Sequence, residues 1–192
     1  MIVVVLAGGE GRRMGGNKPL HPWRGATLIE ATIARLKPQA EAIHINVGEI
    51  NAGLAGLETL GYPLVHDAPD FAGLGPLSGV RSAIRLAAGL GHDAVVTAPC
   101  DMPDLPLDLV ARLSKADADI VHFFGANASG ERDYPLTTLW RTSLLPSLDA
   151  ALVAARPEGG LKVMRYIRSQ TFVRLEAADP MAFRNINRPE DI

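Results

Sequence analysis

Five apolar residues, Ile2-Val-Val-Val-Leu6, stand in an unbroken row near the amino terminus, and four of them are β-branched. A strand that does not alternate with polar residues is buried on both faces, which belongs to a parallel sheet covered by helices on either side. Short β-branched runs recur at Ala42–Val47, Pro63–His66, Ala94–Thr97 and Asp119–Phe123, several of them continuous and not alternating. Segments of helical spacing lie between these runs. Thr27-Leu-Ile-Glu30 has the form of a capping box, and Leu28, Ile29, Thr32, Ile33 and Leu36 make a stripe that stops at Pro38. Leu77, Val80, Ile84 and Ala87 make a second stripe closed by Gly89, and Leu107, Val110 and Leu113 a third. Strands alternating with helices predict a three-layer α/β domain, Rossmann-like, with right-handed crossovers and a mostly parallel central sheet. The last third departs from that rhythm. Arg132–Trp140 and Thr171–Leu175 read as strands, with a helical stripe at Leu144, Leu145, Leu148 and Leu152 between them. A small antiparallel edge or subregion is expected there.

At 192 residues the chain is expected to form a single domain, 1–192. Hydrophobic residues at 47% and charged residues at 21% exclude wholesale disorder. Nineteen Lys and Arg against twenty-one Asp and Glu leave a net charge of −2, with no block of like charges. Nucleic acids and membrane surfaces call for a basic field, so neither is expected as the main partner. The longest nearly unbroken apolar run, Met1–Gly9, is about half of the roughly 18 residues a spanning helix needs. It also lacks the basic start of a signal peptide, so a cytoplasmic location is expected. The one cysteine, Cys100, excludes an internal disulfide and a cysteine-based metal site.

Directly after the first strand comes Leu6-Ala-Gly-Gly-Glu-Gly-Arg-Arg-Met-Gly-Gly-Asn-Lys-Pro-Leu20, with five glycines in the nine positions from Gly8 to Gly16. Runs of exposed backbone amides in such a loop form anion-binding concavities. Arg12, Arg13 and Lys18 against Glu10 make the loop locally positive in a chain that is net negative. A polyphosphate is the natural guest. The spacing matches neither common phosphate loop: Asn17 stands where a Walker loop has its lysine, and Gly9-Glu-Gly11-Arg-Arg-Met-Gly15 is one residue too long for the dinucleotide fingerprint. Further along, Ala98-Pro-Cys-Asp-Met-Pro103 sets Asp101 at a strand's carboxyl end between two prolines. A carboxylate stiffened in that way suits a hard cation such as Mg²⁺, which takes one or two protein carboxylates and completes its shell with phosphate oxygens and water. Cys100 reads as a small buried filler, and the scattered His21, His44, His92 and His122, none paired at metal spacing, as surface or satisfied core residues.

Leu-Ala-Gly-Gly, then Arg-Arg-Met-Gly, then Lys-Pro-Leu resembles the signature of the sugar- and cofactor-nucleotidyltransferases, and most of all that of the molybdenum cofactor guanylyltransferases, the MobA-like family. The double glycine Gly8-Gly9 is the discriminating detail, since related cytidylyltransferases usually carry Leu-Ala-Ala-Gly. Asn17 departs from the Asp that many members have before the lysine. The resemblance implies a nucleotidyltransferase fold and transfer of GMP from GTP to the terminal phosphate of molybdopterin or molybdenum cofactor, with release of pyrophosphate. It implies Mg²⁺ on Asp101, and molybdoenzymes or their chaperones as recipients of the product. The alternatives are a related enzyme that uses CTP or another phosphorylated acceptor, and a non-catalytic GTP-binding module.

Site residues follow from the same resemblance. Arg13, Lys18 and Asp101 are the expected catalytic set. Leu6, Ala7, Gly8 and Gly9 join them around the nucleotide, with Asn46 and Asp67 at the ends of the second and third strands. Guanine presents N–H donors that a carboxylate accepts, which suggests Asp67 as a reader of the base; a helix cap for Asp67 and a turn for Asn46 are the plainer readings. Gly73-Leu-Gly-Pro-Leu-Ser-Gly79 resembles the family's Gly-Pro-Leu-Ala-Gly segment, where Gly75 and Gly79 would admit a flat base or pterin, or would simply open a helix. Arg12 and the Asn185-Ile-Asn187 segment are placed toward the acceptor, the asparagines alternatively supporting the metal or forming a turn before Pro189. Residues 1–105 are then expected to bind the nucleotide and 106–192 to complete the acceptor site.

Overall fold

The computed structural model describes residues 1–8, 17–49, 56–127, 130–187 and 191. Strand β1 (Ile2–Leu6) leads to a short antiparallel ribbon, β2 (Pro22–Trp23) with β3 (Ala26–Thr27), and then to helix α1 (Leu28–Leu36). Next come β4 (Ala42–Gly48), β5 (Leu64–His66), α2 (Pro76–Gly89), β6 (Ala94–Pro99) and α3 (Leu109–Leu113). The antiparallel pair β7 (Ile120–Asn127) and β8 (Gly130–Arg141) precedes α4 (Leu145–Ala155), α5 (Val163–Ile167) and β9 (Phe172–Glu176). Seven strands form one sheet in the order β5-β4-β1-β6-β8-β7-β9.

Side chains along a strand point alternately to the two faces of a sheet, and β1 shows why its sequence has no polar alternation. Val3 and Val5 pack with Ile29, Ile33 and Leu36 of α1 on one face, while Ile2 and Val4 pack with Leu77, Val80 and Ile84 of α2 on the other. All four strand residues are at most 1% exposed. Each such side chain contributes about 1.5–3 kcal/mol on burial, so a polar residue at any of them would cost one helical layer its seat. The capping box also forms: the Thr27 side chain accepts from the Glu30 amide, and the Glu30 carboxylate accepts from the Thr27 amide at 2.8 Å. These bonds to Thr27 hold the Glu30 carboxyl below its usual pKa.

The expected antiparallel part is present, as a subregion inside the sheet and not as its edge, and one other expectation changes in detail. Strand β8 runs against both of its neighbours, β6 and β7, from inside the sheet, and the edge beyond β7 is the parallel β9. The third helix is also shorter than its stripe: α3 begins at Leu109, and Leu107 is 58% exposed. Pro103 and Pro106 hold the chain ahead of α3 in turns, because the residue before a proline avoids helical conformation.

The topology creates a switch point beside β1. From β1 the chain adds β4 and β5 on one side, then returns to place β6 on the other. Open α/β sheets bind ligands at such a switch point, outside the carboxyl ends of the strands. Leu6 at the end of β1 is the register partner of Pro99 at the end of β6, and the Cys100 amide donates to the Leu6 carbonyl at 3.1 Å.

Candidate active site

The loop that leaves β1 begins against β4. The Ala7 amide donates to the Asn46 carbonyl at 2.8 Å, and Gly8 lies so close to β4 that a β-carbon on it would stand 2.8 Å from the Gly48 nitrogen. Gly48 itself has φ +73°, a left-handed conformation natural to glycine. Gly9, Arg12 and Arg13 lie outside the described residues. On the far side of the loop, Asn17 adopts φ 48° and ψ 34°. Asparagine and aspartate are the side chains that tolerate this region best, so Asn17 meets the backbone requirement as an aspartate would.

Lys18 and Asp101, 83 positions apart in sequence, meet here: the Lys18 ammonium donates to Asp101 Oδ2. The ammonium also donates to Asn187 Oδ1 at 2.7 Å, and Asn185 Nδ2 donates to Asp101 Oδ1 at 3.0 Å. Four of the residues singled out in the sequence thus form one hydrogen-bonded cluster at the switch point. The Asp101 side chain is 9% exposed and that of Lys18 16%, so the pair is held largely out of water.

Several residues without chemistry of their own hold this cluster. Thr32 of α1 donates to the Cys100 carbonyl at 3.1 Å, the Ile186 amide donates to the Asp101 carbonyl at 3.0 Å, and Thr137 of β8 bonds Met102 Sδ at 3.3 Å. Ile186 is 1% exposed and packs with Trp23 and Leu28, so Asn185-Ile-Asn187 turns its middle residue into a small apolar cluster while its asparagines reach the Lys18–Asp101 pair. The sequence signal for that arrangement was present in the alternation of polar and apolar residues. The anchoring Trp23 carried none.

A second polar group sits between the ends of β4 and β5. Asp67 Oδ1 accepts from Asn46 Nδ2 at 2.8 Å and from the Ser82 hydroxyl at 2.9 Å, and the Asp67 amide donates to the Gly48 carbonyl at 2.8 Å. Asn46 is 2% exposed, and its Oδ1 lies where a β-carbon on Gly79 would be, 2.5 Å away. Gly79 therefore makes room for Asn46 and does not face open space, and Asn46 works from beneath by orienting Asp67. Gly75, by contrast, is exposed at the start of α2 with φ +87° and nothing within 4 Å of a β-carbon. Ser82 is a residue of this group that sequence reasoning missed, since a serine in an amphipathic helix is unremarkable by itself.

Cys100 conforms to its reading as filler. Burial, reinforced by the Asp101 charge, pushes its thiol up to about 12, which leaves it protonated at neutral pH. The histidines are less settled than expected. His122 is fully buried, with Nε2 3.2 Å from Asp133, yet its Nδ1 and that of His44 have no hydrogen-bond partner among the described residues. Among the described residues no three His, Cys, Asp or Glu side chains converge as a metal cage. No described helix is long and apolar enough to cross a membrane.

A mostly parallel sheet covered on both faces, with a lysine and a carboxylate meeting at its switch point, defines a nucleotidyltransferase-type α/β domain. The sequence profile of the MobA-like NTP transferase domain matches residues 3–172, and the chain belongs to that family. A molybdenum cofactor guanylyltransferase of Rhodobacter capsulatus is 38% identical over 194 residues, which cover 98% of this chain and 91% of that protein. One from Cupriavidus metallidurans is 38% identical over 196 residues, with the same shares. In fold, the chain is similar to molybdopterin-guanine dinucleotide biosynthesis protein A of Archaeoglobus fulgidus, with a TM-score of 0.75 and 22% identity over 100% of this chain and 94% of that one.

Proposed function

We propose that this chain transfers GMP from GTP to the terminal phosphate of molybdopterin or molybdenum cofactor, forming the guanine dinucleotide cofactor and releasing pyrophosphate. The observation that carries the reading is the meeting of Lys18 and Asp101 beside the β1 loop, in a chain 38% identical to molybdenum cofactor guanylyltransferases over nearly its whole length. The nucleotide lies on residues 1–105, with the base toward Asp67 and the phosphates on the β1 loop. Residues 106–192 complete the acceptor side through Asn185 and Asn187. Such an enzyme works in the cytoplasm and passes its product to molybdoenzymes or their chaperones.

The acceptor needs no general base. A phosphomonoester has a second pKa of about 6 and is mostly dianionic at neutral pH. One of its oxygens forms a bond to the α-phosphorus while the bond from the α-phosphorus to the bridging oxygen of the β-phosphate breaks, and pyrophosphate leaves with that electron pair. The protein's task is positioning and neutralisation of charge. Lys18 and Arg13 neutralise the triphosphate and the charge that grows on the leaving group, and Arg12 serves the acceptor phosphate. A carboxylate oxygen and an amide oxygen, Asp101 Oδ2 and Asn187 Oδ1, both reach the single Lys18 ammonium. Oxygen donors of this kind fit Mg²⁺, with the remaining ligands drawn from phosphate and water. The chemistry a bound Mg²⁺ supplies there is Lewis-acid polarisation of the phosphate oxygens.

The test is a panel of GTP, ATP, CTP and UTP, each incubated with the purified chain, Mg²⁺ and molybdopterin, with pyrophosphate release as readout. Release that needs the pterin and is fastest with GTP is the expected result. Faster release with CTP would move the chain to a neighbouring specificity. GTP binding without release under any condition would make it a non-catalytic module.

A further inference from the structure

Every acceptor on Asp101 is already engaged by the chain itself. Oδ1 takes a bond from Asn185 Nδ2 at 3.0 Å, the backbone carbonyl takes one from the Ile186 amide at 3.0 Å, and Oδ2 takes the Lys18 ammonium. The ammonium is shared with Asn187 Oδ1 at 2.7 Å. Two hard oxygens from distant parts of the chain thus converge on one positive charge, in a place where the Asp101 side chain is 9% exposed. A buried carboxylate stripped of its partner is strongly unfavourable, so these oxygens call for a cation. An ammonium and a divalent ion on Oδ2 repel each other as like charges at short range, so the two compete for that oxygen. A metal enters more readily once Lys18 leaves. Leaving into water forfeits two charge-assisted bonds, whereas leaving onto a phosphate replaces them with bonds of the same kind.

We propose that Lys18 is the resident cation of this seat, and that a divalent ion gains Asp101 Oδ2 and Asn187 Oδ1 as a nucleotide triphosphate draws the lysine away. Metal and nucleotide then bind with positive coupling, and the site discriminates against free divalent ions. The inference rests on the reading of Asp101 as the cation ligand, and it concerns regulation of the same site.

The experiment measures Mn²⁺ binding to the full chain without nucleotide, from the electron paramagnetic resonance signal of the free aqueous ion. Lys18→Met keeps the length of the side chain and removes its charge. It is expected to bind Mn²⁺ about tenfold more tightly than the wild type, within the range of about 5–150-fold usual for coupled sites. Adding Asp101→Asn, or Asn187→Ala, to Lys18→Met is expected to abolish that gain. Equal or weaker Mn²⁺ binding by Lys18→Met overturns the proposal, as does a gain that survives Asp101→Asn. Lys18→Gln is read in the same way should the methionine variant fold poorly. The measurement is separate from catalysis: a wild type that transfers GMP, beside a Lys18→Met with unchanged Mn²⁺ affinity, would sink this inference alone. A wild type without transfer would sink the proposed function alone.

Discussion

Gly8 and Gly48 touch backbone to backbone at the mouth of the site: a β-carbon on Gly8 would stand 2.8 Å from the Gly48 nitrogen and 2.9 Å from its α-carbon. The contact joins the loop after β1 to the end of β4, beside the Asn46–Asp67 group. Alanine at position 8, as in the Leu-Ala-Ala-Gly variant of the signature, cannot be accommodated here without moving one of the two strand ends.

Gly8→Ala is therefore expected to cost about 1–3 kcal/mol, the usual cost of overpacking, and to lower Tm by about 2–12 °C. On the proposed function, which seats the triphosphate on this loop, GTP binding should weaken as well. Differential scanning calorimetry and a nucleotide titration check the two parts. An unchanged Tm would show that the strand ends have slack.

Asp101→Asn and Lys18→Ala should each lower turnover by about 100- to 1,000-fold, comparable to the loss of one charge-stabilising group in other active sites. Asp101→Asn keeps the shape of the side chain and the carbonyl contact to Ile186, so circular dichroism should report an intact fold. Near-normal turnover by either purified variant would remove that residue from the mechanism.

Asp67→Asn offers a clean test of base reading. Its remaining Oδ1 can still accept from Asn46 Nδ2 and Ser82, now at 2.8 and 2.9 Å, so the group should hold its shape. Loss of a charged hydrogen bond, worth about 1.5–3 kcal/mol, should reduce the preference for GTP over ATP and CTP by about 10- to 100-fold. An unchanged ratio of kcat/KM values would leave Asp67 as a purely structural residue.

Stability should also depend on pH through His122 and His44. Burial pushes both imidazoles down; for His122 the Asp133 contact opposes that shift without cancelling it. The unfolded imidazole takes up its proton near pH 6.5, the folded one only at lower pH. Between those values the unfolded chain binds more protons, so stability falls as pH drops below about 6.5. Tm should decline between pH 7.5 and 5.5, and His122→Asn should flatten that slope while lowering the plateau. A slope that survives in His122→Asn combined with His44→Gln would assign it to other groups.

All seven strands of the main sheet were legible: burial on both faces leaves a dense apolar run in β1 and β6, and turns set off the shorter or partly exposed β-branched runs of the others. The position of β8 was not. Gly130–Arg141 would read the same at an edge or inside, since local sequence encodes which residues face the core and carries no record of which strands lie alongside. Leu107 failed for a related reason: a stripe of leucines marks helical spacing, but the turns set by Pro103 and Pro106 delay the helix to Leu109. Within the site, Lys18, Asp101, Asn185 and Asn187 were found by motif and then proved to be one cluster. Gly48, Ser82 and Trp23 escaped notice, and Thr32 was read only as part of a helical stripe, because their roles exist only in contacts made over long sequence distances.

The most direct measurement follows the phosphorus atoms. GTP labelled at the α-phosphate, incubated with the chain, Mg²⁺ and molybdopterin, should place its label in the pterin dinucleotide, while label at the γ-phosphate should leave entirely in pyrophosphate. Label from the γ-position in the pterin product, or α-label that never leaves GTP or free GMP, would contradict guanylyl transfer at this site.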